Sequence, residues 1–306
     1  MSDYRELLGI SELAAAGDSG SGVRVAVIDT GIPCVDDIPV SMAENFTDDE
    51  NSQSSEHAAA IGSILFGNGC VHGMCPKATS FFAKVFSGVT AKPVTVAAAI
   101  VYASKIWKAD VINLSLGFNK CSDAVISACD SAIANGSVIV ASSGNDGGDT
   151  MCPAMLPDVI SVGASDGKTS EKFSNTGKTD VVAPGVDLPA LDTEGNETKK
   201  TGTSFSTAII SGMVALLLAK KRKTDPSAKA ADVKGELIDM CVDIWRLGKD
   251  SHTGYGFPFP NILPKSIFNI GFALSLRSFF ATISDVAKKA IAVLYRPKSK
   301  ETKKDE

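Results

Sequence analysis

Apolar and polar positions divide most of the chain into alternating strand-like and helix-like segments. Short apolar runs rich in valine and isoleucine, bounded by glycine or polar residues, are typical of buried strands. Longer, alanine-rich runs with helical spacing of apolar positions lie between them. The pattern predicts strands over residues 23–28, 80–86, 111–117, 137–142, 159–164 and 180–183. It predicts helices over residues 58–66, 94–107 and 124–135, from about residue 204, and from residue 225 to about 241.

This alternation predicts an α/β fold in which helices cover both faces of a mainly parallel central sheet. We expect one domain over residues 22–262, preceded by a lead-in over residues 1–21 whose glycines loosen the join. Residues 263–306 are predicted to form a C-terminal extension, an amphipathic helix followed by a charged, disordered tail. Packing on the domain is the favoured role of this extension, and binding of a partner is an alternative. Membrane-surface contact through residues 265–295 is less favoured, because interfacial helices need a clearly segregated polar face.

Composition and charge argue against several classes of protein. The chain has 306 residues, 44% of them hydrophobic, and a net charge of −5. This mild acidity argues against a nucleic-acid partner, which usually requires a basic surface. The N-terminus shows no secretory signal, and we find no uninterrupted apolar run long enough to span a membrane. The seven cysteines form no metal-binding motif with histidine, so we expect free thiols, a cytoplasmic location, and no metal or other cofactor. The oligomeric state is not indicated.

The most informative stretch is Gly-Thr-Ser at residues 202–204, which leads into an apolar helix. Ser204 would lie where unpaired backbone N–H groups and the helix dipole favour negative charge, as a nucleophile that attacks a carbonyl requires. The alternative is a serine that only caps the helix. Capping is the more common role of serine at such a position.

Two other residues favour the nucleophile over the helix cap as the role of Ser204. Asp29 ends the first predicted strand, at the edge where open α/β sheets bind ligands, although a turn aspartate would fit equally. His57 opens a helix of small residues, and a histidine there is more often structural. The order Asp29, His57, Ser204, with each residue at the edge of a βα element, is nevertheless the order of the subtilisin triad.

With these residues in place, the sequence resembles the subtilisin-like serine proteases over about residues 22–262. Residues 25–31, Val-Ala-Val-Ile-Asp-Thr-Gly, resemble the aspartate motif of that family, and residues 202–204 match its serine motif. His57 heads a segment similar to the family's histidine motif. Supporting segments occur in the family's order at residues 111–117, 143–145, 153–154, 159–164, 173–175 and 183–185. One such motif is weak evidence, but the ordered series makes coincidence negligible.

The resemblance implies a subtilisin-like three-layer fold and hydrolysis of peptide bonds through an acyl-enzyme on Ser204. His57 would accept and return the proton, and Asp29 would orient the imidazole. The amide of Asn145, with the backbone N–H of Ser204, would bind the oxyanion. Extended peptide or protein substrates would pair with two walls. These walls comprise Ser115, Leu116 and Gly117 on one side and residues 84–88, which include Lys84 and Phe86, on the other.

Departures from the family pattern refine these expectations. Met151 falls where the family often has a small residue at the base of the first specificity pocket, so we expect a shallow pocket for small or medium P1 side chains. Between residues 57 and 76 the asparagine-rich calcium loop of many relatives is not evident, so no metal is expected there. The strand of Asp29 begins too early to leave room for an inhibitory prodomain, which favours an intracellular processing protease.

Two alternatives share this sequence pattern. A peptide ligase or macrocyclase would use the same acyl-enzyme, and Ala208, which replaces the usual proline of the family, keeps this alternative open. The segment between Asp29 and His57 is short, however, and leaves little room for a cap that excludes water. A catalytically silent subtilase-like binding domain is the second alternative. The complete triad argues against it.

Overall fold

The structure, a computed structural model, describes residues 4–49 and 55–260. The strands in these residues are β1 (Arg24–Asp29), β2 (Met42–Asn45), β3 (Thr79–Lys84), β4 (Phe86–Ser87), β5 (Thr90–Ala91), β6 (Val111–Leu114), β7 (Val138–Ser142), β8 (Ile160–Ser165), β9 (Val181–Pro184), β10 (Leu188–Leu191), β11 (Glu197–Lys200), β12 (Cys241–Val242) and β13 (Phe257–Pro258). The helices are α1 (Tyr4–Leu7), α2 (Ile10–Ala16), α3 (Glu56–Phe66), α4 (Pro93–Lys105), α5 (Asp123–Ala134), α6 (Thr203–Arg222) and α7 (Lys234–Asp239), with 3₁₀ turns at Asp18–Gly20 and Ala230–Val233. The predictions for residues 263–306 lie outside the described residues.

Within this part of the chain, seven parallel strands form the central sheet in the order β2-β3-β1-β6-β7-β8-β9. The pairs β4–β5, β10–β11 and β12–β13 are antiparallel. The order places β1 beside β6: β3 and β2 lie on one side of β1, and after β3 the chain crosses to β6 on the other side, where β7, β8 and β9 follow. In open α/β sheets such a switch point is where ligands bind, outside the carboxyl ends of the strands.

The sheet is buried on both faces because its strands are apolar at successive positions. Side chains of a strand alternate between faces. In β1, Val25 and Val27 belong to the core formed with α3 and α6, while Ala26 and Ile28 belong to the core formed with α4 and α5. The structure is therefore the three-layer α/β arrangement with a parallel sheet, and the predicted fold class is confirmed.

Helix α6 forms the centre of the first core. Every residue of it from Thr203 to Ala219 is buried. By length and composition α6 could cross a membrane, but 94% of its most apolar window is buried inside the protein. A helix that is apolar all round and enclosed by its own protein is a core helix.

Two local expectations are wrong. The glycines of the lead-in do not simply loosen it: a side chain on Gly17 would lie 2.5 Å from the carbonyl oxygen of Leu216, so this glycine lets α2 pack directly on α6. The helix expected from residue 225 begins later, with the 3₁₀ turn Ala230–Val233. The Asp225 carboxylate accepts hydrogen bonds from the backbone N–H and hydroxyl of Ser227, at 3.1 and 2.6 Å. This turn competes locally with the helix.

Candidate active site

Asp29 and His57 form a hydrogen-bonded pair at the switch point of the sheet. Asp29 is the last residue of β1 and is 1% exposed. Its Oδ1 lies 2.7 Å from Nδ1 of His57, whose side chain is 31% exposed. The same oxygen accepts the backbone N–H of Thr30 at 2.7 Å and its hydroxyl at 2.8 Å. The carboxylate is thus fixed by three donors and directs the imidazole towards the open side of the site.

Helix α3 holds His57 in its first turn. Ser55 is the N-cap, and its hydroxyl oxygen accepts the backbone N–H of Ala58 at 3.1 Å. Burial lowers the pKa of His57, but the charge of Asp29 and its hydrogen bond raise the pKa more, so that it lies above its ordinary value. Lys200 opposes that increase. A histidine that binds its proton near neutral pH can act as both base and acid.

Ser204 is the second residue of α6 and does not cap this helix. Its N-cap is Gly202, which has no side chain to make a capping hydrogen bond. The Ser204 hydroxyl donates to the backbone carbonyl of Ser115 at 3.3 Å, and the Ser115 hydroxyl donates to the carbonyl of Ser204 at 2.9 Å. Within the described residues, no hydrogen bond joins Ser204 to His57. Catalytic hydrogen bonds are often incomplete until substrate binds.

Asn145 lies in the exposed loop after β7. Its Oδ1 accepts the backbone N–H of Thr203 at 2.8 Å and the Thr203 hydroxyl at 3.0 Å. Because a backbone N–H can only donate, these bonds fix the oxygen towards Thr203 and direct the amide nitrogen away from it. The donors of that nitrogen and the backbone N–H of Ser204 can together bind a negatively charged oxygen.

Comparison with known proteins identifies the family that this arrangement belongs to. Residues 20–256 match the model of the subtilase family of peptidases, peptidase S8. The chain belongs to the subtilase family. The resemblance to subtilisin-like serine proteases is therefore confirmed, and the enzyme class is serine endopeptidase, a hydrolase.

Proteases of Bacillus species are among the proteins that it resembles. The chain is 30% identical to subtilisin DY of Bacillus licheniformis, over 82% of this chain and 93% of that protein. It is 28% identical to the minor extracellular protease Epr of Bacillus subtilis, over 82% of this chain but 40% of that protein. Among solved structures, it resembles a serine-to-alanine mutant of the protease domain of PatA, with a TM-score of 0.67 and 26% identity over 77% of this chain and 91% of that one. It also resembles the prenylagaramide maturation protease PagA, with a TM-score of 0.65 and 27% identity over 79% and 89%.

The two expected peptide walls of this subtilase lie on either side of the switch point. Ser115, Leu116 and Gly117 follow β6, with Ser115 and Leu116 each 7% exposed. Phe86 is half-buried in β4, just beyond the end of β3. Lys84, at the end of β3, is buried, and its ammonium lies 3.1 Å from the Asp49 carboxylate. Its side chain therefore forms an ion pair within the protein and adds no exposed charge to the wall.

Met151 occupies the space between the loops after β6 and β7. A side-chain carbon added to Gly117 would lie 2.8 Å from Cβ of Met151, and one added to Gly144 would lie 3.2 Å from its Cγ. Both glycines thus leave room for the thioether. The methionine fills the gap that the two glycines would otherwise leave open, where the sequence predicts the base of the first specificity pocket.

A disulfide beside Met151 corrects the expectation of free thiols. Cys121 and Cys152 are bonded across 31 residues, next to an antiparallel bridge in which Phe118 and Cys152 exchange hydrogen bonds of 2.8 and 2.9 Å. The sequence spacing shows no motif, because the two cysteines meet only through tertiary structure. Elsewhere, burial raises the pKa of the Cys75 and Cys129 thiols to about 12, which makes both unreactive.

Sequence reasoning missed four residues that organise the site. Thr30 and Ser55 support the Asp29–His57 pair, and Thr203 orients Asn145. The ring of Phe205 lies 5.6 Å from that of His57. A serine two positions before a helix-opening histidine is a recognisable N-cap signal. The contacts of the other three residues are not visible in any local pattern.

Proposed function

We propose that this subtilase hydrolyses peptide bonds in peptide or protein substrates through an acyl-enzyme on Ser204. The observation that carries the proposal is that the Asp29–His57 pair, Ser204 and the oriented amide of Asn145 meet at one switch point of the sheet. These groups supply a base, a nucleophile and an oxyanion donor. Each has a position consistent with its role.

In the proposed reaction, substrate binding turns the Ser204 hydroxyl from the Ser115 carbonyl towards Nε2 of His57. The Ser204 oxygen bonds to the scissile carbonyl carbon while His57 takes its proton, and the carbonyl electron pair becomes an oxyanion held by Asn145 and the N–H of Ser204. Collapse of this intermediate breaks the C–N bond, and the leaving amine takes the proton from His57. Water then repeats the attack and releases Ser204.

The substrate would bind as an extended strand along residues 115–117, with a small or medium P1 side chain. Met151 supports this preference because it fills the base of the pocket. The hydrogen bonds and disulfide of Cys152 support a fixed position for Met151. The likeness to PagA, a maturation protease, supports a processing role on a limited set of peptides. A cytoplasmic location is also part of the proposal, although the disulfide argues against a reducing compartment.

A fluorophosphonate probe, followed by intact-mass measurement, tests the assignment of Ser204. We expect one adduct on the wild type and none on Ser204→Ala. Ser206→Ala is the matched control and should be labelled, since the Ser206 hydroxyl is bonded to the carbonyls of Ala183 and Pro184. An unlabelled, correctly folded wild type would contradict the proposal. The masses of products from a cleaved peptide then distinguish hydrolysis from acyl transfer to an added amine.

A further inference from the structure

A chain of hydroxyl groups connects the start of α3 to Asp29. The backbone N–H of Ala58 donates to the hydroxyl oxygen of Ser55 at 3.1 Å. The Ser55 hydroxyl is hydrogen-bonded to that of Thr30, and the Thr30 hydroxyl donates to Oδ1 of Asp29 at 2.8 Å. The backbone N–H can only donate and an ionised carboxylate can only accept. Each hydroxyl therefore accepts from the helix side and donates towards Asp29.

This chain ends on the oxygen that bonds His57. Oδ1 of Asp29 receives both Thr30 bonds and the His57 bond, whereas Oδ2 is buried and has no hydrogen-bond partner among the described residues. Hydrogen bonds in a chain polarise one another, and the start of a helix favours negative charge. The relay therefore withdraws charge from the one oxygen that the imidazole contacts.

We propose that Ser55 is a positioning residue of this subtilase, which acts through Thr30 to orient the Asp29 carboxylate and to moderate its charge towards His57. An ordinary cap would only accept the N–H of its helix. Ser122 shows such a cap at α5, where its hydroxyl accepts the N–H of Val125 at 3.3 Å. Ser55 makes the same capping bond and, in addition, continues to the carboxylate. The proposal deepens the proposed function and relies on it only for the kinetic measurement.

The charged groups around His57 define what a titration would report. β1 contributes Asp29, and β11 contributes Lys200, which pairs with Glu56 of α3 at 2.9 Å. α6 contributes the uncharged ring of Phe205. Replacing Ser55 changes none of these charges. A shift in the titration of His57 would therefore come from the relay.

The test is an NMR titration of the histidine ring signals in wild type, Ser55→Ala, Ser55→Thr and Ser122→Ala, with His72 and His252 as internal references. Without the Ser55 donor, Thr30 donates more weakly and Oδ1 becomes more negative, which stabilises protonated His57. We expect Ser55→Ala to raise its pKa by about half a unit, the effect of part of one hydrogen bond. Ser55→Thr, which retains the hydroxyl, should restore the wild-type pKa, and Ser122→Ala should leave it unchanged.

Kinetics and melting temperatures complete the experiment. If the proposal holds, the acid limb of kcat/KM in Ser55→Ala shifts in the same direction as the pKa, while its melting temperature falls about as much as that of Ser122→Ala. An unchanged pKa of His57 in folded Ser55→Ala would show that Ser55 is only a helix cap and would overturn the proposal. A failure of Ser55→Thr to restore the wild-type pKa would overturn it as well. The titration needs no turnover, so it remains decisive even if the wild type cleaves no peptide.

Discussion

The proposed active site consists of two halves that are built differently. The acid–base half, comprising Asp29, Thr30, Ser55 and His57, is joined by hydrogen bonds between the end of β1 and the start of α3. The nucleophile half comprises Ser204, Thr203, Asn145 and Ser115, and joins the start of α6 to the loops after β6 and β7. Between the halves, the described residues show a ring contact of Phe205 with His57 but no hydrogen bond from His57 to Ser204.

This difference indicates which half the substrate completes. In the acid–base half, the hydrogen bond between Asp29 and His57 already orients the imidazole. In the nucleophile half, the oxyanion that the amide of Asn145 would bind forms only during the reaction, and the Ser204 hydroxyl is hydrogen-bonded to a backbone carbonyl. Changes in the first half should therefore alter the pH dependence of the reaction. Changes in the second should alter its rate at an unchanged pH dependence.

The largest effect in this comparison is expected from Asp29→Asn. The amide cannot stabilise protonated His57, and its NH₂ group would favour the wrong imidazole tautomer. We expect kcat to fall by about 10⁴-fold, as for the corresponding change in another Ser-His-Asp triad. Peptide turnover at several pH values measures this, with the melting temperature as a check on folding. A folded variant within about tenfold of wild type, far from the loss expected for the wrong tautomer, would show that Asp29 is not the orienting group.

In the second half, Asn145→Leu should lower kcat by about 10²- to 10³-fold, the usual loss for one oxyanion donor. KM should change little, because the amide acts on the charge that develops in the transition state. Steady-state kinetics on one peptide measure both constants. A rise in KM at constant kcat would instead assign Asn145 to substrate binding.

The fold was more predictable than the contacts of the site. Apolar runs located six of the seven strands of the sheet, and the order of Asp29, His57 and Ser204 indicated the family. The edge strand β2 was not predicted, because its residues are mostly exposed and form no apolar run. The ion pair of Lys84 with Asp49 and the disulfide of Cys121 with Cys152 were not predicted. Each depends on residues distant in sequence. No periodicity or spacing encodes such a pairing.

The sequence did predict that Met151 limits the first pocket, and Met151→Gly tests this prediction. Removing the side chain leaves space between Gly117 and Gly144, so larger P1 residues should be accepted. We expect the ratio of kcat/KM for a P1 Leu peptide over a P1 Ala peptide to rise roughly 10- to 100-fold, the range for filling a hydrophobic pocket. Peptide-library profiling gives this ratio. An unchanged P1 profile would show that Met151 does not form the base of the pocket. The pH dependence of the reaction should be the same in Met151→Gly and wild type.

The smallest effect is the pH dependence itself, and it separates the two halves most directly. Burial lowers the pKa of His57, but the charge and hydrogen bond of Asp29 outweigh burial and hold it above the ordinary value of 6.5. Only the neutral ring accepts the Ser204 proton, so kcat/KM should fall about tenfold per pH unit below that raised pKa.

Asn145→Leu should keep the wild-type midpoint of this pH profile because it leaves the acid–base half intact. Asp29→Asn removes the charge that raises the pKa, so its midpoint should move to lower pH. A midpoint that moved in Asn145→Leu and stayed fixed in Asp29→Asn would show that proton affinity is set by the nucleophile half instead.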